Sequence, residues 1–165
     1  MQAEIYEKLQ SLPKADLHVH FEGTVSAATL CELAAQNGID LGEPTNIPGY
    51  PEIAAPRHEL LEGPFQGTFF DFIQYYVKTT SVITTEADFA LIAERYGVAA
   101  QSENIRAVEM YFTPSTFLAF GHTEASITKG LRRVTEILSQ TYGISIRWIF
   151  DIVRNASGSG RETLE

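Results

Sequence analysis

The sequence predicts an α/β fold built on a parallel sheet or barrel. Three observations carry this: strand-like and helix-like segments alternate, the segments at Ala15–Phe21 and Ile105–Phe112 have strand patterning, and the stretch from Ile144 to Val153 is almost continuously apolar. Strands separated by helices of ten or more residues are the pattern of βαβ units.

Ala3 to Gln10 has helical spacing, and Pro13 closes it. Ala15 to Phe21 then alternates strictly. Leu17, Val19 and Phe21 fall on one face of the expected strand, and Asp16, His18 and His20 on the other. After a Glu22-Gly23-Thr24 turn, Ser26 is placed to cap a helix that stops at Gly38. Gly42 to Gly67 holds five of the seven prolines and reads as a long irregular loop or lid region. Thr68 to about Ile83 is aromatic-rich and helical in spacing, and Thr85 opens a further helix to about Ser102.

The second strand is expected to close at Thr113-Pro114, with a helix from Thr123 to Tyr142 ending at Gly143. The apolar run of the third strand suggests cover on both faces. Ser159 and Glu162 have capping-box spacing, so a new helix is expected where the chain ends. Three strands do not close a barrel and leave an unpaired edge.

Composition narrows the function. The 165 residues are 44% hydrophobic and 20% charged, as in ordinary globular proteins. A net charge of −9 without a basic patch argues against nucleic acid and anionic membranes as partners. No run is apolar enough to span a bilayer, and the N-terminus is not patterned as a signal peptide, so a cytoplasmic location is expected. The one cysteine, Cys31, cannot form an internal disulfide or a Cys-rich zinc site, which excludes the cytidine-deaminase type of centre.

The chemistry-bearing pair is His18 and His20. Residues two apart on a strand point to the same side, where two imidazoles can grip one divalent metal. With four histidines in the chain, chance supplies on the order of 0.1 such spacings. The alternative is a strand face that happens to carry two histidines. Position at a strand end, before a loop, favours the metal reading. Asp16 either orients an imidazole or is a buried polar residue of the interior. His58 and His122 lie in loops and read as solvated.

The segment Leu12 to Thr24, LPKADLHVHFEGT, resembles the opening motif of the adenosine deaminase family. The resemblance continues in Phe69-Phe70-Asp71-Phe72-Ile73-Gln74-Tyr75-Tyr76, similar to that family's aromatic lid helix. It continues again in Val108 to Pro114 and Ile146 to Asn155, similar to its second and third barrel strands. It implies that residues 1–165 are the N-terminal part of a (β/α)8 TIM-type barrel, about three strands with their helices. It also implies one Zn2+ per complete site, with His18 and His20 as its first two ligands. Glu22 matches a substrate-contacting acid, although alone it reads as a solvated turn carboxylate. Phe69, Phe70 and Ile73 match the apolar lid over the substrate, although alone they read as ordinary helix packing.

The implied reaction is hydrolytic deamination of an adenine-type purine: adenosine, adenine or a modified nucleoside. Activated water attacks the carbon bearing the amino group, the ring nitrogen is protonated, and ammonia leaves. The family's general acid/base Glu and remaining ligands are expected beyond Glu165, so the chain alone is expected to be inactive. Two departures bear on substrate: Glu22 stands where many adenosine deaminases have Asp, and Tyr111 where they have Arg. Rival readings are a PHP-type metal phosphoesterase, and a non-catalytic half-barrel that self-associates or binds a missing C-terminal half.

Overall fold

A computed structural model describes residues 2–41 and 76–153. Its elements are α1 (Gln2–Ser11), β1 (Lys14–His20), a short 3-10 turn (Glu22–Thr24) and α2 (Ala27–Gln36). After helical residues 76–81 come α3 (Glu86–Ser102), β2 (Ile105–Phe112), α4 (Pro114–Ala119), α5 (Glu124–Glu136) and β3 (Ser145–Phe150). The expected loop Gly42–Gly67 and the residues Phe69, Phe70, Ile73 and His58 lie outside the described residues.

The helix starts follow the sequence. The Ser26 hydroxyl accepts from Thr29 N, and Thr85 and Asp88 form a full capping box on α3. Two helix details were not anticipated. Pro114 does not merely end β2 but occupies the first turn of α4, where its missing N–H costs nothing. The helix expected from Thr123 to Tyr142 is regular only to Glu136, then widens into a π turn at Ile137–Thr141 before Gly143 turns with φ 65°.

The strands pair in parallel in the order β1-β2-β3. β2 and β3 run in continuous register, from Ala107 opposite Ser145 to Phe112 opposite Phe150. β1 does not. Asp16 faces Val108 and Val19 faces Met110, so three steps along β1 match two along β2. The extra residue is a bulge, and His18 has φ 62°, a left-handed conformation uncommon for any non-glycine.

The bulge corrects the strict alternation read from the sequence. Before it, Leu17 lies on the sheet's open face, 64% exposed, while Asp16 turns to the helices. After it, Val19 and Phe21 turn to the helices and His20 to the open face beside Tyr111. Asp16 therefore does not share a face with the two histidines. Cover on both faces of β3 is also corrected: Ile146 and Trp148 pack toward the helices, but Ser145 and Arg147 are exposed.

The core lies between the helix-facing side of the sheet and α3 and α5. Val108, Met110 and Phe112 meet Phe89, Ile92, Leu131 and Val134 there. Phe21 stacks on Phe89 at 5.3 Å and Phe112 on Phe117 at 4.4 Å. Gly130 of α5 makes room for this cluster, since a Cβ there would sit 2.7 Å from the Phe89 ring. Gly130→Ala is expected to destabilise the fold by about 1–2 kcal/mol, because overpacking outweighs the roughly 1 kcal/mol of helix propensity gained. Urea unfolding checks this; an unchanged midpoint would contradict it.

Candidate functional site

The candidate site sits at the C-terminal ends of the three strands. β1 delivers His18 and His20, and the 3-10 turn behind it delivers Glu22. β2 contributes Tyr111, the chain just after β3 contributes Asp151, and Tyr76 arrives from the helical segment 76–81. Backbone bonds extend the sheet past its strands: Phe21 N donates to Tyr111 O at 3.0 Å, and Asp151 N to Phe112 O at 3.1 Å. They fix where Glu22 and Asp151 emerge.

The histidine rings lie 5.4 Å apart. His18 stacks almost flat on Tyr111, with ring centres 4.2 Å apart and planes at 11°. Two imidazoles bound tetrahedrally to one zinc at about 2.0 Å have ring centres roughly 5 Å apart. The spacing therefore fits two ligands of one ion. Among the described residues no third His, Cys, Asp or Glu joins them in a metal-holding group. The two imidazoles by themselves are fewer than the three protein ligands that a catalytic zinc site uses.

His20 is half-buried, and its Nδ1 lies 3.2 Å from the Tyr76 hydroxyl and 3.8 Å from Asp151 Oδ2. Burial lowers the imidazole below its ordinary value; Asp151 opposes this and His18 reinforces it. A neutral imidazole is the form a metal binds.

Glu22 is only 1% exposed, which corrects the reading of a solvated turn carboxylate. Its Oε2 accepts the Tyr76 hydroxyl at 2.7 Å, while Oε1 is buried without a hydrogen bond among the described residues. Burial pushes the carboxyl up to about 7; the Tyr76 bond and the Glu22 and Thr113 amides pull it down, and Asp151 pushes it up. Burial, with Glu22 beside it, raises the Tyr76 phenol.

Two other expectations change. Asp16 accepts a 3.1 Å hydrogen bond from Tyr96 of α3, so it ties β1 to a helix instead of orienting an imidazole. His122 is partly buried, not solvated: its Nε2 donates to Ile83 O at 2.7 Å, and its ring meets Phe117 edge-on.

Sequence reasoning did not pick out Tyr76 or Asp151 as site residues. Asp151 had a signal, as the one acid closing the apolar run ISIRWIFDIV at a strand end. Tyr76 had none, because an aromatic in an aromatic-rich helix reads as packing.

Comparison with known proteins bears on this site. The sequence profile described as adenosine deaminase matches residues 13–165. An adenine deaminase of Gibberella zeae is 33% identical over 153 residues, covering 93% of this chain and 42% of its own length. The crystal structure of adenine deaminase from Arthrobacter aurescens superposes with a TM-score of 0.72 at 26% identity, over 90% of this chain and 42% of that one. A Burkholderia ambifaria amidohydrolase crystallised with bound zinc has the same fold, with a TM-score of 0.70 at 22% identity, over 92% of this chain and 39% of its own. The chain thus spans under half the length of these relatives. Its three parallel strands and their helices correspond to the N-terminal part of a TIM-type barrel.

Proposed function

The chain belongs to the adenosine deaminase family, and from that premise we propose that the complete protein hydrolytically deaminates an adenine-type purine, using zinc. The observation that carries the proposal is the His18–His20 pair, held 5.4 Å apart on a bulged strand end facing away from the core. Similarity to adenine deaminases puts the free base first among substrates, ahead of adenosine and modified nucleosides.

His18 and His20 would hold the zinc, which when bound supplies the Lewis acidity that makes water nucleophilic at neutral pH. Tyr111 supports the His18 ring by stacking on it. Glu22 offers a buried acceptor, Oε1, to a donor on the purine or its substituent. Phe69, Phe70 and Ile73 are the proposed apolar lid, which excludes water from the bound ring. The general acid/base carboxylate and the remaining ligands are proposed to lie beyond Glu165, so residues 1–165 alone should not turn over. Among the described residues no helix is long and apolar enough to cross a membrane. A cytoplasmic site of action is part of the proposal.

The test is ammonia release by the zinc-loaded complete protein, assayed on adenine, adenosine and a phosphoester panel. Stoichiometric ammonia and hypoxanthine-type product from one of the purines is expected. Phosphate release with no ammonia would replace this reading with a phosphoesterase.

Glu22→Gln probes the substrate contact. Gln keeps the shape and an oxygen for Tyr76 but puts a donor where Oε1 accepts. The substrate KM is expected to rise about tenfold or more, as for loss of a hydrogen bond to a charged group, with little change in melting temperature. Steady-state kinetics checks this; an unchanged KM would remove Glu22 from the substrate site.

A further inference from the structure

The Tyr76 hydroxyl stands between two groups of the site. It is 2.7 Å from Glu22 Oε2 and 3.2 Å from His20 Nδ1. A phenol has one proton to give. The shorter contact is the one to Glu22, and Tyr76 is its donor. The Tyr76 proton therefore points at Glu22, and an oxygen lone pair is left facing His20. An acceptor opposite Nδ1 demands a proton on Nδ1. In a neutral imidazole the other nitrogen, Nε2, then carries the lone pair.

We infer that Tyr76 is a positioning residue that fixes the His20 tautomer, keeping the proton on Nδ1 and leaving Nε2 open to a metal. The inference rests on the reading of His20 as a metal ligand. Asp151 works in the same direction. Its Oδ2, 3.8 Å from Nδ1, is too far for a hydrogen bond, but its negative charge favours a proton on that nitrogen. The Tyr76 ring also meets the His20 imidazole edge-on, with planes at 86° and centres 5.8 Å apart, which limits rotation of the ring. The relay from His20 through Tyr76 to Glu22 joins β1, its following turn and a helix 56 residues away in sequence. A ligand whose tautomer and orientation are set before the ion arrives loses less freedom on binding it.

The experiment is long-range proton–nitrogen NMR of the metal-free protein at about pH 8, above the ordinary imidazole range. The His20 signals are assigned by their disappearance in His20→Ala. In the wild type the proton should sit on Nδ1. In Tyr76→Phe the acceptor is gone, and the Nε2-protonated form should gain a measurable share. Zinc affinity, titrated against a competing chelator, should fall about 10- to 100-fold, as for other partners that orient a metal-bound histidine. A wild-type His20 protonated on Nε2 overturns the inference even if the variant does not fold. So does a folded Tyr76→Phe protein with the wild-type tautomer and zinc affinity. Unchanged zinc binding in His20→Ala overturns the ligand reading instead, so the two failures are distinguishable.

Discussion

Alanine at His20 is expected to reduce deamination by the complete, zinc-supplied protein by well over 100-fold. Loss of a residue that merely orients a metal ligand costs about 10- to 100-fold, so loss of a ligand itself should cost more. The fold should survive, because the His20 ring faces the open side of the sheet and not the core between sheet and helices. Far-UV circular dichroism should therefore match the wild type while turnover collapses. Activity within tenfold of wild type would show that His20 does not serve the reaction.

The largest effect on stability is expected at Asp88, far from that chemistry. Asp88 is 3% exposed, and its Oδ2 accepts from Thr84 N at 2.8 Å, Thr85 N at 2.8 Å, Asn37 Nδ2 at 3.0 Å and Thr84 Oγ1 at 3.2 Å. One oxygen thus joins the C-cap of α2, the chain entering α3 and the first turn of α3. Asn37 extends the junction by donating to Val82 O at 2.9 Å. Alanine would leave two backbone N–H groups and an amide without that acceptor, each costing about 1–3 kcal/mol if it stays buried. The Thr85 N–H among these is also half of the α3 capping box. Some donors will find water, so the expected loss is about 3 kcal/mol. Asp88→Asn keeps an oxygen but not the charge, and should lose less. Urea unfolding with an unchanged slope reads both values. A loss under about 1 kcal/mol for alanine would show that the network is relieved by solvent.

Asp88 also shows what a sequence makes legible. The part Asp88 plays in the capping box shows only in the structure, whereas the Thr85 hydroxyl is a local cap signal that marks the helix start in the sequence. The same holds for Ser26 before α2 and for the glycine that ends α5 beyond its π turn. These features depend on neighbours within one turn of chain. The bulge in β1 does not. Nothing in Leu17-His18-Val19-His20 marks an extra residue, because no glycine or proline stands there and the alternation is unbroken on paper. The bulge is defined by pairing with β2, some 90 residues away, where two steps must meet three. His18 and His20 share a face with or without the bulge, both lying beside Tyr111. Asp16 did not, and its role moved from the site to Tyr96.

Burial is the second property the sequence withheld. Glu22 in a Gly-Thr turn reads as solvated until Tyr76 and the chain after β2 close over it. Tyr76 comes from a segment 54 residues distant, and only the folded arrangement shows that its hydroxyl faces both Glu22 and His20. The resemblance to a family singles out Glu22 as an expected substrate contact. It did not anticipate that a tyrosine holds it.

Elemental analysis of the purified complete protein, beside His18→Ala/His20→Ala, tests whether the two histidines hold a metal. About one zinc per chain is expected in the wild type and almost none in the double variant, with both folded. A folded double variant that still holds a full equivalent of zinc, or a wild type that holds none when zinc is supplied, would contradict it.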